Sequence, residues 1–167
     1  LLKLDQSTID KLKKAPLPDN KGLTRLKDQD LHVTLIGIKD FKKFKGVWDN
    51  NKVENHLNNK TWTLSYCEDD MKEGCLEIEK EAIEDGKLYL FAGTYIITRD
   101  EKKSAIVTLA YPGMYKKIVD QACECQGLEN PSPERFFHIT IANNGGGNPF
   151  KSIGDVTKED ICKDGSL

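Results

Sequence analysis

Along residues 31–38, LHVTLIGI, apolar and polar positions alternate and β-branched residues are frequent, which predicts a strand. The spacing then lengthens. Phe41, Phe44, Val47 and Trp48 recur at helical intervals, while Gly46 and the cluster 49–51 predict a break between two short helices. Alternation returns at 61–69, TWTLSYCED, and CLEIEKEAI reads as a further strand or a transition. Residues 87–112 hold two alternating runs around the polar turn 100–103, the pattern of a hairpin. In 113–128, Met114, Ile118, Ala122 and Cys125 share one helical face, and Gly127 stands where a helix would end. After the proline-rich ENPSPER, the segment FFHITIAN alternates again; a glycine-rich loop, NGGGNPF, and a tail with one short helix follow. At the other end, LLKLDQSTIDKLKK reads as an amphipathic helix or a tail and 14–23 as a loop, so that 1–20 form an N-terminal helix and loop. The order strand, helix, several strands, helix, strand predicts an α+β domain with antiparallel sheet, not βαβ repetition.

Two of these strands share a five-residue frame, apolar-His-apolar-Thr-apolar: LHVTL and FHITI. The chain has three histidines, and the two in question lie 106 positions apart (138 − 32), so no local structure links them. In a strand, His32 and Thr34 point to one face and Val33 and Leu35 to the other; the same holds for His138 and Thr140 against Ile139 and Ile141. Each segment therefore buries a branched apolar pair and offers an imidazole and a hydroxyl roughly 6–7 Å apart. By composition alone, two such fits among three histidines are expected on the order of once in ten thousand chains. Strands favour apolar residues and Thr, which raises that figure without making coincidence the better account.

The chemistry that uses two imidazoles and two hydroxyls in one groove is in-line cleavage at phosphorus. One imidazole takes a proton from the attacking hydroxyl or water, and the other protonates the leaving oxygen. Histidine suits both roles because its pKa of about 6.5 keeps both forms available near neutrality. The threonines can donate to the non-bridging oxygens. No metal and no cofactor is required.

Composition narrows the partners. The chain has 167 residues, 31% charged and 38% hydrophobic, which fits one domain or two tightly packed lobes. A net charge of −2 argues against coating nucleic acid by bulk electrostatics, while leaving room for a phosphate in a local basic pocket. No apolar run has the roughly 18 residues that a membrane span needs. Five cysteines, Cys67, Cys75, Cys123, Cys125 and Cys162, form an odd set without framework spacing; they are expected to be free thiols in a reducing, cytoplasmic setting. That argument outweighs the three-residue glycosylation pattern Asn59-Lys60-Thr61.

The pair of frames resembles the two His-x-Thr/Ser motifs of the two-histidine (2H) phosphoesterases. That group includes cyclic phosphodiesterase/RNA 2′–5′ ligase-like proteins and enzymes that cut 2′–5′ oligoadenylate or cyclic oligonucleotide signals. The resemblance covers the length of the chain, the motif spacing and the strand–helix order, and PERFFHITIANNGGGNPF is similar to the RNA-repair-associated branch. It implies one bilobal, pseudo-symmetric domain over 1–167, with antiparallel sheets and helices packed outside. It also implies metal-independent hydrolysis of 2′,3′-cyclic phosphate RNA ends or of 2′–5′-linked or cyclic nucleotides. His32 and His138 are then the catalytic pair, exchanging acid and base roles with the direction of cleavage, and Thr34 and Thr140 bind the phosphoryl oxygens. The expected partner is an RNA end or a small nucleotide phosphodiester, bound by a monomer. The alternatives are a silent module that binds the same ligands without cleaving them, and a structural protein in which the frames are fortuitous.

Other residues carry weaker expectations. Tyr111, at the end of the hairpin, is assigned to stacking on a base of the substrate, against the plainer role of a rim aromatic. Phe136 shares a face with His138 and is expected mainly in the core. Lys21 and Arg25 precede the first frame and are expected in solvent more than on a phosphate. Asn143 is expected in a turn, and His56 on a helix surface. NGGGN lacks the Lys and Ser/Thr of a triphosphate-binding loop.

Overall fold

Asp5 starts the first helix, α1 (Gln6–Lys14): its carboxylate accepts the Thr8 amide at 3.1 Å, and the basic Lys11, Lys13 and Lys14 gather in the last turn, where the helix dipole favours cations. The computed structural model describes residues 1–17, 22–58, 64–66, 76–78 and 90–164. Before α1 lies a strand that the sequence pattern did not predict, β1 (Leu2–Lys3). The remaining strands are β2 (Thr24–Arg25), β3 (His32–Val33), β4 (Leu64–Tyr66), β5 (Leu76–Ile78), β6 (Phe91–Arg99), β7 (Lys102–Leu109) and β8 (His138–Asn143). The remaining helices are α2 (Ile38–Phe41), α3 (Asn50–Asn58), α4 (Pro112–Glu124) and α5 (Lys158–Asp164).

The strands join one sheet in the order β4-β5-β1-β3-β8-β7-β6, with β2 also pairing β8. Among the described residues every pairing is antiparallel except β1 with β5. The expected α+β class with antiparallel sheet is what the chain adopts, although the described strands make one continuous sheet where two lobes with separate sheets were expected. The strand predicted over 31–38 is shorter: β3 holds two residues, and the chain turns into α2 at Ile38. The hairpin β6–β7 is tighter than expected, since Arg99 pairs with Lys102 and only Asp100 and Glu101 form the turn. Asp100 takes the left-handed conformation there (φ 56°), which Asp tolerates better than most residues. The predicted strand 61–69 and the run after Cys75 appear as β4 and β5; their other residues, and Cys67, Cys75, Lys21 and the pattern 59–61, lie outside the described residues.

Val33, Ala105, Val107, Leu109, Ile139 and Ile141 face one side of the sheet. There they pack with Leu12 of α1, Val53 of α3, and Tyr115, Ile118, Val119 and Ala122 of α4. Helix α4 has Pro112 in its first turn and ends where Leu128 N–H reaches the Cys123 carbonyl (2.9 Å) and Gly127 N–H the Glu124 carbonyl (3.0 Å). That closing motif needs the left-handed residue which Gly127 (φ 71°) supplies. On the opposite side of the sheet a smaller cluster, Ile97, Ile106, Ile153 and Val156, fastens the C-terminal segment across β6 and β7. The rest of that side carries the polar residues of the two frames.

Candidate functional site

β3 and β8 are neighbours in the sheet, paired antiparallel with Val33 opposite Ile139. Continued by one residue each way, this register sets His32 opposite Thr140 and Thr34 opposite His138. Directly opposed side chains stand about 4.5–5.5 Å apart at Cβ and diagonal ones about 7–8 Å. The two imidazoles are therefore diagonal neighbours, with a hydroxyl beside each. Val33 and Ile139 are wholly buried in the helix-side core, which sends all four polar side chains to the other face. Ile106 confirms the side: it pairs with Thr140 and belongs to the smaller cluster on that face.

Both imidazoles are held the same way. His32 Nδ1 lies 2.7 Å from the carbonyl of Asp30, and His138 Nδ1 lies 3.1 Å from the carbonyl of Phe136, in each case the residue two positions back. A carbonyl can only accept, so Nδ1 carries the proton and Nε2 presents a lone pair in the neutral ring. The environments differ. His138, 8% exposed, has β7 on its far side, with Thr108 opposite it. Burial, with smaller contributions from the charges of Arg135 and His32, pushes its pKa down to about 4, against the opposing effect of the hydrogen bond that Nδ1 donates to the Phe136 carbonyl. His32 is half-buried, and burial also lowers its pKa, partly offset by the Asp30 carbonyl. The influence of His32 on His138 marks the rings as electrostatic neighbours.

Lys3 and Arg135 are cations the sequence pattern did not single out. Lys3 sits directly opposite His32 on β1, on the same face. Only strand pairing reveals this, because a two-residue strand leaves no periodic trace. Arg135 precedes His138 by three residues and packs beside Gly37, just beyond the first frame. Tyr111, 42% exposed, lies at the N-cap of α4, three residues past Thr108. Phe136 does both things weighed for it: it packs against the smaller cluster, and its ring lies nearly parallel to that of His138 (20°, centroids 6.5 Å apart).

Arg25 is otherwise engaged. Its guanidinium donates to the carbonyls of Leu12 (3.2 Å) and Ala15 at the end of α1. Asn143 is the last residue of β8, fully buried, and its side chain serves the turn that follows. Its Oδ1 accepts from Gly145 and Gly147 (both 3.0 Å), and its Nδ2 donates to Asn148 O and Ser152 Oγ (both 2.8 Å), which organises the glycine-rich loop. His56 lies in the last turn of α3. Cys123 is a buried free thiol whose pKa burial raises to about 11, an inert setting, and Cys125 is also free.

Two cavities lie elsewhere, one at the hairpin tip beside Ile153–Asp155 and a smaller one between Leu12, Arg25 and Ile141. Among the described residues, no three His, Cys, Asp or Glu side chains gather as a metal site, and no helix is long and apolar enough to cross a membrane. No family model, curated protein or solved structure matches the chain.

Proposed function

We propose that the protein is a phosphodiesterase of the 2H type. It acts on 2′,3′-cyclic phosphate RNA ends or on 2′–5′-linked or cyclic nucleotides by general acid–base catalysis without a metal. The observation that carries this reading is the Val33–Ile139 pairing, which brings both imidazoles and both threonines to one sheet face. The matching Nδ1 contacts support it further, because each ring is held with Nε2 available for proton transfer. His138 has the more strongly lowered pKa and serves as the base; His32, easier to protonate, serves as the acid. Thr34 and Thr140 donate to the non-bridging oxygens, and Tyr111 stacks on the base. On this reading the chain is a pseudo-symmetric domain of two lobes, acting in the cytoplasm as a monomer.

The test is turnover of a panel of 2′,3′-cyclic nucleotides, cyclic-phosphate RNA ends and 2′–5′ dinucleotides, with chelator present and the products resolved as 2′- or 3′-phosphate. The low exposure of His138 favours a second reading, a module that binds such ligands without cleaving them. Binding across the panel with no turnover would establish that reading in place of the first.

A further inference from the structure

We propose that Arg135 is an anion-binding residue of the histidine face, its guanidinium donating to the non-bridging oxygens of the bound phosphoryl group. The inference rests on the reading that this face holds such a group. Its basis is an anomaly of hydrogen bonding: Arg135 Nε is buried and has no partner among the described residues. A buried donor without an acceptor is rare and costly, and an absent ligand is one of the few conditions that explain it.

The surroundings say which ligand. The side chain fills the space above Gly37, where a Cβ would collide with its terminal nitrogen, so the glycine just beyond the first frame makes room for the arginine just before the second. Arg135 thus lies beside Gly37, two residues past the first frame, and three residues before His138. The carboxylates of Asp40 and Asp155 act on it only through space; Asp40 is occupied by Ser132 Oγ (2.5 Å) and Lys43 Nζ (3.5 Å). Its charge is felt at His138. A planar, permanently charged fork, partly desolvated and one step from an imidazole, suits a tetrahedral oxyanion.

The probe is inorganic phosphate, titrated into the folded chain by calorimetry and by the imidazole proton shifts of both histidines. Arg135→Gln is expected to weaken phosphate about tenfold or more and to raise the titration midpoint of His138, because a nearby positive charge is removed. Gly37→Ala keeps the charge but displaces it and is expected to weaken phosphate as well, while Arg135→Lys falls between. Unchanged phosphate affinity in Arg135→Gln overturns the proposal, as does a wild-type protein whose histidine shifts ignore phosphate. If Arg135→Gln does not fold, Arg135→Lys decides, and wild-type affinity in it overturns the proposal too. Arg135-dependent phosphate binding without turnover of any diester leaves this inference standing and removes the hydrolase. Turnover and phosphate binding untouched by Arg135→Gln do the reverse.

Discussion

The two frames are alike in sequence and unlike in setting. LHVTL contributes a two-residue strand, β3, whose histidine is half-buried, whereas FHITI begins a six-residue strand held along most of its length by β7. Both rings are pinned through Nδ1 to the carbonyl two residues back, so their orientation is set locally and equally. Their acidity is set by surroundings and is unequal. Two identical groups with pKa values pushed to different depths are what an acid–base pair requires, and the deeper burial of His138 supplies the difference.

The sharpest way to break that comparison is to remove each ring. His32→Ala and His138→Ala should each cost about 10²–10⁴-fold in turnover, and substantial activity in either variant would end the acid–base scheme. A second measurement concerns stability. His138 has a folded pKa near 4, below the unfolded 6.5, so between these values the unfolded chain binds more protons. Its contribution is complete above about pH 6.5 and is lost on acidification toward pH 4. A shift of this size corresponds to about 3 kcal/mol. Urea unfolding at pH 7 and pH 4.5 should show a smaller drop for His138→Asn than for the wild type, and equal drops would contradict the burial argument.

Smaller effects sharpen the comparison. Thr34→Val and Thr140→Val keep shape and remove one donor each, for an expected loss of about tenfold in kcat/KM. If kcat/KM needs neutral His138 and protonated His32, its optimum falls between a value near 4 and a His32 pKa below the usual 6.5. An optimum above neutrality would discard the assignment of catalysis to these two groups. Least of all, Tyr111→Ala should raise KM for a base-bearing substrate by about fivefold, in line with one lost stacking contact, and leave kcat nearly unchanged.

Much of this could be read along the chain, for reasons visible at particular residues. The β6–β7 hairpin announces itself through long alternation, and α4 through Ile118 and Ala122 on one face with Gly127 at its end. The histidine frames are visible because a strand's period of two makes His-x-Thr a statement about one face. β1 was not legible, because Leu2 and Lys3 gain their strand character only from partners in β3 and β5. The extent of β3 was misread at Leu35–Ile38, where apolar residues continue after the ladder has ended.

By itself, the sequence determined which residues are candidates for chemistry and which way each points from its own strand, since propensity and alternation act over a few neighbours. Only the tertiary structure decided that the two strands are adjacent and that Lys3 and Arg135 stand beside the histidines. It also decided that one imidazole is buried more deeply than the other. Pairing across 106 residues and desolvation by distant segments are properties of the assembled core, which no local pattern encodes.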